Sequence, residues 1–163
     1  MKDMKDILDI LENNAKATSV EIASLTGRTT KEVEKLIDQA EKQKIILGYK
    51  TIINRDLLDY GDGVLAFVEV RMTPQPDIGF DGVAKKIARF PEVHSLQLIS
   101  GDYDLAVLVS GNTMQQVASF VTMKLAALQE VNATTTHFLL KRYKENGIIL
   151  NQEESSRRLP LSP

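Results

Sequence analysis

VHSLQLISGDYDLAVLVS, residues 93–110, holds two apolar, β-branched runs separated only by Gly101 and Asp102. So short a Gly-Asp spacer leaves room for nothing but a tight antiparallel connection, and the stretch reads as paired strands over 93–100 and 103–110. Upstream, Phe80, Val83, Ala84, Ile87 and Ala88 recur at helical spacing and predict a helix that stops at Phe90 and Pro91. Before it, VLAFVEVR (64–71) reads as an apolar strand followed by the proline-marked loop TPQP (73–76). Downstream, Thr113 and Gln116 cap a second helix with Met114, Val117, Val121, Leu125 and Leu128 on one face, and VNATTTHFLLKRY (131–143) is a β-branched strand. This β-α-β-β-α-β order predicts a ferredoxin-like sheet with both helices on one side, within an α+β chain. The other face then lacks cover from this segment, and a second copy of the chain is the expected cover.

The first third has a different period. Met4, Ile7, Leu8 and Leu11 stack on one side of an opening helix that ends at Asn13 and Asn14. Thr18 and Glu21 form a T-x-x-E capping box before Ile22, Ala23 and Leu25, and Gly27 stops that helix. Thr29 and Glu32 repeat the box before Val33, Leu36, Ile37 and Ala40. Helix, glycine turn, helix is the pattern of a helix-turn-helix. At about 100° per residue, Lys31, Glu34, Lys35, Asp38 and Lys42 project opposite the apolar stripe, the geometry of a helix whose first turns enter a major groove. The plain alternative is a solvated face on a three-helix unit. IILGYKTII (45–53) is β-branched and reads as a strand or wing. The expected boundaries are therefore a winged helix-turn-helix over 1–53, a hinge over 54–62, the ferredoxin-like domain over 63–150 and a polar tail over 151–163.

Composition narrows the chemistry. The 163 residues carry 20 Lys plus Arg against 22 Asp plus Glu, a formal charge of −2, with 43% hydrophobic and 26% charged residues. That is a globular composition with ample core material. Without cysteine, disulfides, thiol catalysis and Cys-based zinc sites are excluded. No apolar run approaches the roughly 20 residues of a membrane helix, and the charged amphipathic start is unlike a signal sequence. A cytoplasmic protein is expected. The near-neutral charge means that any nucleic-acid contact is local rather than driven by an overall basic excess.

His94 and His137 fall on different strands with no carboxylate at ligand spacing, so no metal is assigned; no cofactor motif or catalytic motif is present. Met114, Phe120 and Met123 read as packing positions. Gly101 would allow a backbone conformation and close approach that other residues resist, and Asp102 could hold a ligand's amino group, although both are common turn residues. Tyr103 lies in the same segment. Asp104 could serve the same pocket or cap the turn. Thr134 and Thr136, at strand period, could meet a carboxylate or simply reflect β propensity.

Taken together, the N-terminal helix-turn-helix, IILGYKTIIN behind it, FPEV at 90–93, GDYD at 101–104 and TTTHFLLKRYK at 134–144 make residues 1 to about 150 resemble the Lrp/AsnC family of transcriptional regulators. The resemblance implies a winged helix-turn-helix joined to a ligand-responsive regulatory domain, dimers built through the C-terminal sheets and commonly four dimers in a ring, an octamer. It implies double-stranded DNA and a small-molecule effector, usually an amino acid, as partners. DNA contact would fall to Arg28, Thr29, Thr30, Lys31, Glu34 and Lys35, and effector contact to Gly101, Asp102, Tyr103, Asp104, Thr134 and Thr136. Residues 28–42 depart from the arginine-rich pattern of the family, with Arg28, Lys31, Lys35 and Lys42 balanced by Glu32, Glu34, Asp38 and Glu41. A metabolite-binding oligomer with a decayed DNA module is therefore an alternative expectation. A siroheme-decarboxylase-like enzyme, which shares the two-part architecture, is a minor one; the chain is expected not to be an enzyme.

Overall fold

The computed structural model describes residues 4–54, 57, 63–73 and 79–150. Most of the expected hinge, the prolines of TPQP and the polar tail lie outside the described residues. The chain divides into two units, Met1–Ile53 and Asn54–Pro163.

In the first unit, α1 (Lys5–Asn13), α2 (Ser19–Thr26) and α3 (Thr30–Lys42) surround a small core of Ile7, Leu11, Ile22, Ala23 and Val33, with Leu36, Ile37 and Ile46 packed against it. Both capping boxes form. Gly27 takes the left-handed conformation (φ 69°) that ends α2, one that a residue with a Cβ resists. Leu25 does not join the core: it is 72% exposed. On so short a helix it points about 110° from the mean direction of Ile22 and Ala23, and so lies at the rim.

The wing expectation is not met, because residues 45–54 adopt no strand. A strand needs a partner for its amides and carbonyls, and among the described residues this unit supplies none. The segment instead folds back onto α3. Lys44, at φ 56°, turns the chain so that the Ile45 and Ile46 amides both bond the Ala40 carbonyl, and the Tyr49 hydroxyl donates to Glu41 Oε1 at 2.9 Å.

The second unit is a four-stranded antiparallel sheet of order β2-β3-β1-β4, built from β1 (Val64–Met72), β2 (Val93–Leu98), β3 (Leu105–Gly111) and β4 (Val131–Phe138). Helices α4 (Gly79–Ile87) and α5 (Met114–Phe120) cover one face, where Ala66, Val68, Val70, Leu105, Val107 and Val109 pack against Val83, Ile87, Val117, Phe120, Val121 and Leu125. This is the expected ferredoxin-like β-α-β-β-α-β arrangement. Helix α5 widens into a π turn over Val121–Leu125. Phe120 is buried, but Met114 and Met123 are 54% and 74% exposed in the single chain, so of the three expected packing positions only Phe120 enters its core.

Beyond β4, where a strand was expected to continue to 143, the chain forms a small hairpin of β5 (Lys144–Glu145) and β6 (Ile148–Ile149) around Asn146-Gly147, both at positive φ. Such a pair suits a two-residue hairpin turn. The carboxamide of Asn54 donates to the Leu150 carbonyl at 2.6 Å, fixing the start of the second unit to the end of this hairpin.

Candidate functional site

Two sets of candidate residues lie in separate units. In the first unit the chemistry begins at the N-terminus of α3. The Thr29 hydroxyl accepts from the Glu32 amide at 3.3 Å and donates to Glu32 Oε2 at 2.8 Å, while the Thr29 amide donates to the same oxygen at 2.9 Å. These bonds hold the Glu32 carboxyl below its ordinary pKa, the backbone bond from Thr29 contributing most. Arg28 pairs with Asp6 of α1 at 3.1 Å. Thr29 thus caps α3, and Arg28 ties the turn before it to α1. Lys31, Glu34 and Lys35 are exposed on the opposite side, with Thr30 half-buried at the first turn. Among the described residues neither Lys31 nor Lys35 has an ion-pair partner, whereas Lys42 is neutralised by Asp38 at 2.6 Å. The unpaired lysines of the face therefore sit in the first two turns, with Glu34 between them, where the helix macrodipole is also positive. Counting charges along the sequence missed this, because it weighs paired and unpaired lysines alike.

In the second unit the segment between β2 and β3 is wider than a two-residue turn. A last bond from the Ile99 amide to the Asp104 carbonyl closes the hairpin at 2.7 Å, leaving residues 100–103 in the loop. Asp104 is the tie: its amide donates to the Val70 carbonyl at 2.9 Å and its carboxylate accepts from the Met72 amide at 2.8 Å. That second bond sits where the pairing of β1 with β4 shifts register, between Arg71 and Met72. Gly101 and Asp102 are exposed at the tip. Gly101 is not at left-handed φ, and a Cβ there would meet only Ile99 Cγ2, at an ordinary 3.8 Å. The expected steric need for glycine is thus absent within the single chain.

The tyrosine and the threonines lie on opposite faces. Tyr103 packs edge-on against Phe67, ring centroids 6.1 Å apart, on the side away from the helices. Thr134 and Thr136 pair with Val70 and Val68, whose side chains are buried beneath the helices, so the threonines share the helix side. They are near the loop end of the sheet, but β1 separates them from Tyr103. The face opposite the helices carries Leu65, Phe67 and Leu108, all partly exposed, with Glu69 against His137 Nε2 at 3.2 Å. His94 Nε2 is 2.8 Å from the Ser110 hydroxyl. Among the described residues no three His, Cys, Asp or Glu side chains gather as a metal site, and no helix is long and apolar enough to cross a membrane.

Comparison with known proteins gives this two-unit arrangement its place. Residues 65–149 match the Lrp/AsnC ligand binding domain. An uncharacterized HTH-type transcriptional regulator of Bacillus subtilis, YugG, is 43% identical over 158 residues, covering 97% of this chain and 95% of its own. Among solved structures, a transcriptional regulator of Neisseria meningitidis in complex with L-Met superposes with a TM-score of 0.69 at 23% identity, covering 93% of this chain and 97% of the other. AsnC of E. coli does so with a TM-score of 0.65 at 19% identity, covering 89% and 95%. At those identities the two structures speak for the fold alone. The match over the regulatory domain and the near full-length likeness to a helix-turn-helix regulator place this chain in the Lrp/AsnC family of transcriptional regulators.

Proposed function

We propose that the protein is a cytoplasmic DNA-binding regulator that reads double-stranded DNA through the first turns of α3 and answers to a small metabolite, an amino acid, at the β2–β3 loop. The observation that carries the DNA half is the pair of lysines, Lys31 and Lys35, that have no ion-pair partner among the described residues and lie on the outward side of a helix set by Gly27 and a complete capping box. Thr30 and Glu34 flank them; Arg28 and Thr29 act behind them by holding the helix. An exposed carboxylate beside the lysines reduces phosphate attraction, or accepts a hydrogen bond from cytosine. Two copies of the unit on one duplex offset a weak module through effective concentration.

The second copy is supplied by the sheet. The partly exposed Leu65, Phe67 and Leu108 form an apolar face suited to packing against the same face of another chain, giving a homodimer, and dimers associate further into an octamer. For the effector, Asp102 at the loop tip offers an acceptor to an ammonium group, with Gly101, Tyr103 and Asp104 in the same segment. Thr134 and Thr136 are the candidates on the other side of β1. The L-Met complex of the Neisseria protein supports an amino acid as the ligand class.

The test is a gel shift of the DNA upstream of the protein's own gene at two salt concentrations, with and without each of the twenty amino acids. A shifted band that weakens with salt and responds to one of them is expected. Absence of any shift at low salt would favour the metabolite-binding oligomer without a working DNA module, a reading that the exposed Glu34 between Lys31 and Lys35 keeps in play.

A further inference from the structure

A cavity of about 760 Å³ opens at the other end of the β2–β3 pair, between the turn before β2, the end of β3 and the side of α5. At about 3.3 Å per residue, the length of β3 puts it some 20 Å from the loop at Gly101. Its charges come from one pair: Lys124 Nζ donates to Glu92 Oε1 at 2.6 Å. The lysine reaches there from the π turn and also lies over the rings of Phe90 and Phe120, at 5.7 and 5.8 Å. The hydrogen bond from Lys124 is the main reason that the Glu92 carboxyl is held below its ordinary pKa. The other oxygen, Oε2, is shielded from solvent and has no hydrogen-bond partner among the described residues. A carboxylate has room for several donors, and stripping one oxygen of all of them is costly. The rest of the lining is uncharged: Ser110, Thr113, Gln115 and Ser119 with the ring of Phe120 and the thioether of Met123.

We infer that this cavity is a second small-molecule site, taking a zwitterionic amino acid across the Glu92–Lys124 pair. The terminal torsion of a glutamate is soft and roughly two-fold, so a small rotation presents the unsatisfied oxygen to an incoming ammonium group. Lys124 keeps two further N–H donors for the carboxylate. An α-amino acid carries both groups on one carbon, matching a cation and an anion already in contact. Because the pair is neutral overall and the remaining lining is neutral, a zwitterion fits better than a net cation or anion. Its side chain would lie against Phe120 and Met123. The site differs from the β2–β3 loop in every residue and does not depend on that loop binding anything.

The chain's own methionines separate the two sites. The full-length protein, carbon-13 labelled at the methionine methyl groups, is titrated with each of the twenty amino acids. Met123 lines the cavity, whereas the amide of Met72 is held by Asp104 beside the loop. The expected result is a saturable shift of the Met123 signal with at least one amino acid. The affinity read from it falls at least about tenfold in Glu92→Gln, which loses the charge that meets the ammonium. The same loss is expected in Lys124→Met, which keeps an apolar stem over the two rings, and an unchanged Met72 signal verifies the fold of both variants. In Asp102→Ala the Met123 shift should persist. The inference is overturned if no amino acid moves Met123, if only Met72 responds, or if both Glu92→Gln and Lys124→Met retain wild-type affinity at Met123.

Discussion

Replacing Lys31 and Lys35 together by alanine should change how DNA binding depends on salt more than it changes the fold. Both side chains are exposed and make no ion pair among the described residues, so their loss removes nothing that holds α3 in place. Each lysine that neutralises a phosphate contributes about 0.9 to the slope of log affinity against log salt. In a dimer the two positions occur twice, so four contacts go and the slope flattens by about 3.6. Between roughly 50 and 200 mM salt the wild type should then lose roughly 150-fold more affinity than the double variant. Fluorescence anisotropy with a labelled operator fragment across that range measures both slopes. Lys42→Ala is the matched control, because Asp38 at 2.6 Å already compensates that charge, three turns along the same helix; its slope should follow the wild type. If the double variant and wild type gave parallel lines, α3 would not meet the phosphates with its first turns, and the docking geometry would be wrong.

Further outcomes follow from features already described. Ile22→Ala, at a fully buried position in the small core of the first unit, should cost about 2–5 kcal/mol and abolish DNA binding, checked by urea denaturation and by gel shift. Gly63→Ala should destabilise by more than about 1 kcal/mol, because Gly63 is at φ +69° and a Cβ there would lie 2.6 Å from the Gly111 carbonyl oxygen. Gly101→Ala, with neither constraint, should leave the melting temperature near wild type. The carboxyls of Glu21 and Glu32 are held below the ordinary value of 4.5 by their capping boxes. The stability they add is fully present above that value and is lost as pH falls through it toward the lower folded-state value. Urea midpoints measured from about pH 6 to pH 3 should therefore drop on the acid side, and less steeply in the Thr18→Val, Thr29→Val double variant. Asp102→Ala, at an exposed loop tip, should keep the melting temperature but lose the thermal shift given by the effector at the β2–β3 loop; an undiminished shift would remove Asp102 from the site.

Periodicity and capping were readable wherever a residue's own neighbours decide its conformation. The two T-x-x-E boxes and Gly27 set the ends of α2 and α3 through contacts within four residues, and both boxes formed as read. Which residues of β1 and β3 face the helices was not legible in this way, because both runs are apolar at consecutive positions. What the sequence hid depends on partners far along the chain. Residues 45–53 have strand composition but no strand beside them among the described residues, and composition says nothing of partners. The loop at Gly101 looked like a tight turn because the requirement met by Asp104 lies on β1, some thirty residues earlier, in the amides and carbonyls around Met72. Thr134 and Thr136 were correctly paired by period, yet which face they share depends on register with Val70 and Val68. The Asn146-Gly147 hairpin is legible from that dipeptide, which lies just beyond the run read as a strand, 131–143. The Glu92–Lys124 contact, spanning 32 positions, carries no local signal.

The contact of Gly63 with Gly111 bears on how displacement is passed through the second unit. Gly111 is in turn crowded, though less than Gly63: a Cβ on it would lie 3.0 Å from Val117 Cγ2 and 3.3 Å from Gln116 Cβ, both on α5. Backbone lies on one side of Gly111 and side chains of α5 on the other. A displacement of α5 toward the sheet therefore meets Gly111 first and, through its carbonyl, the residue that leads into β1. The stack is a short line of contact that runs from α5 through the end of β3 to the start of β1.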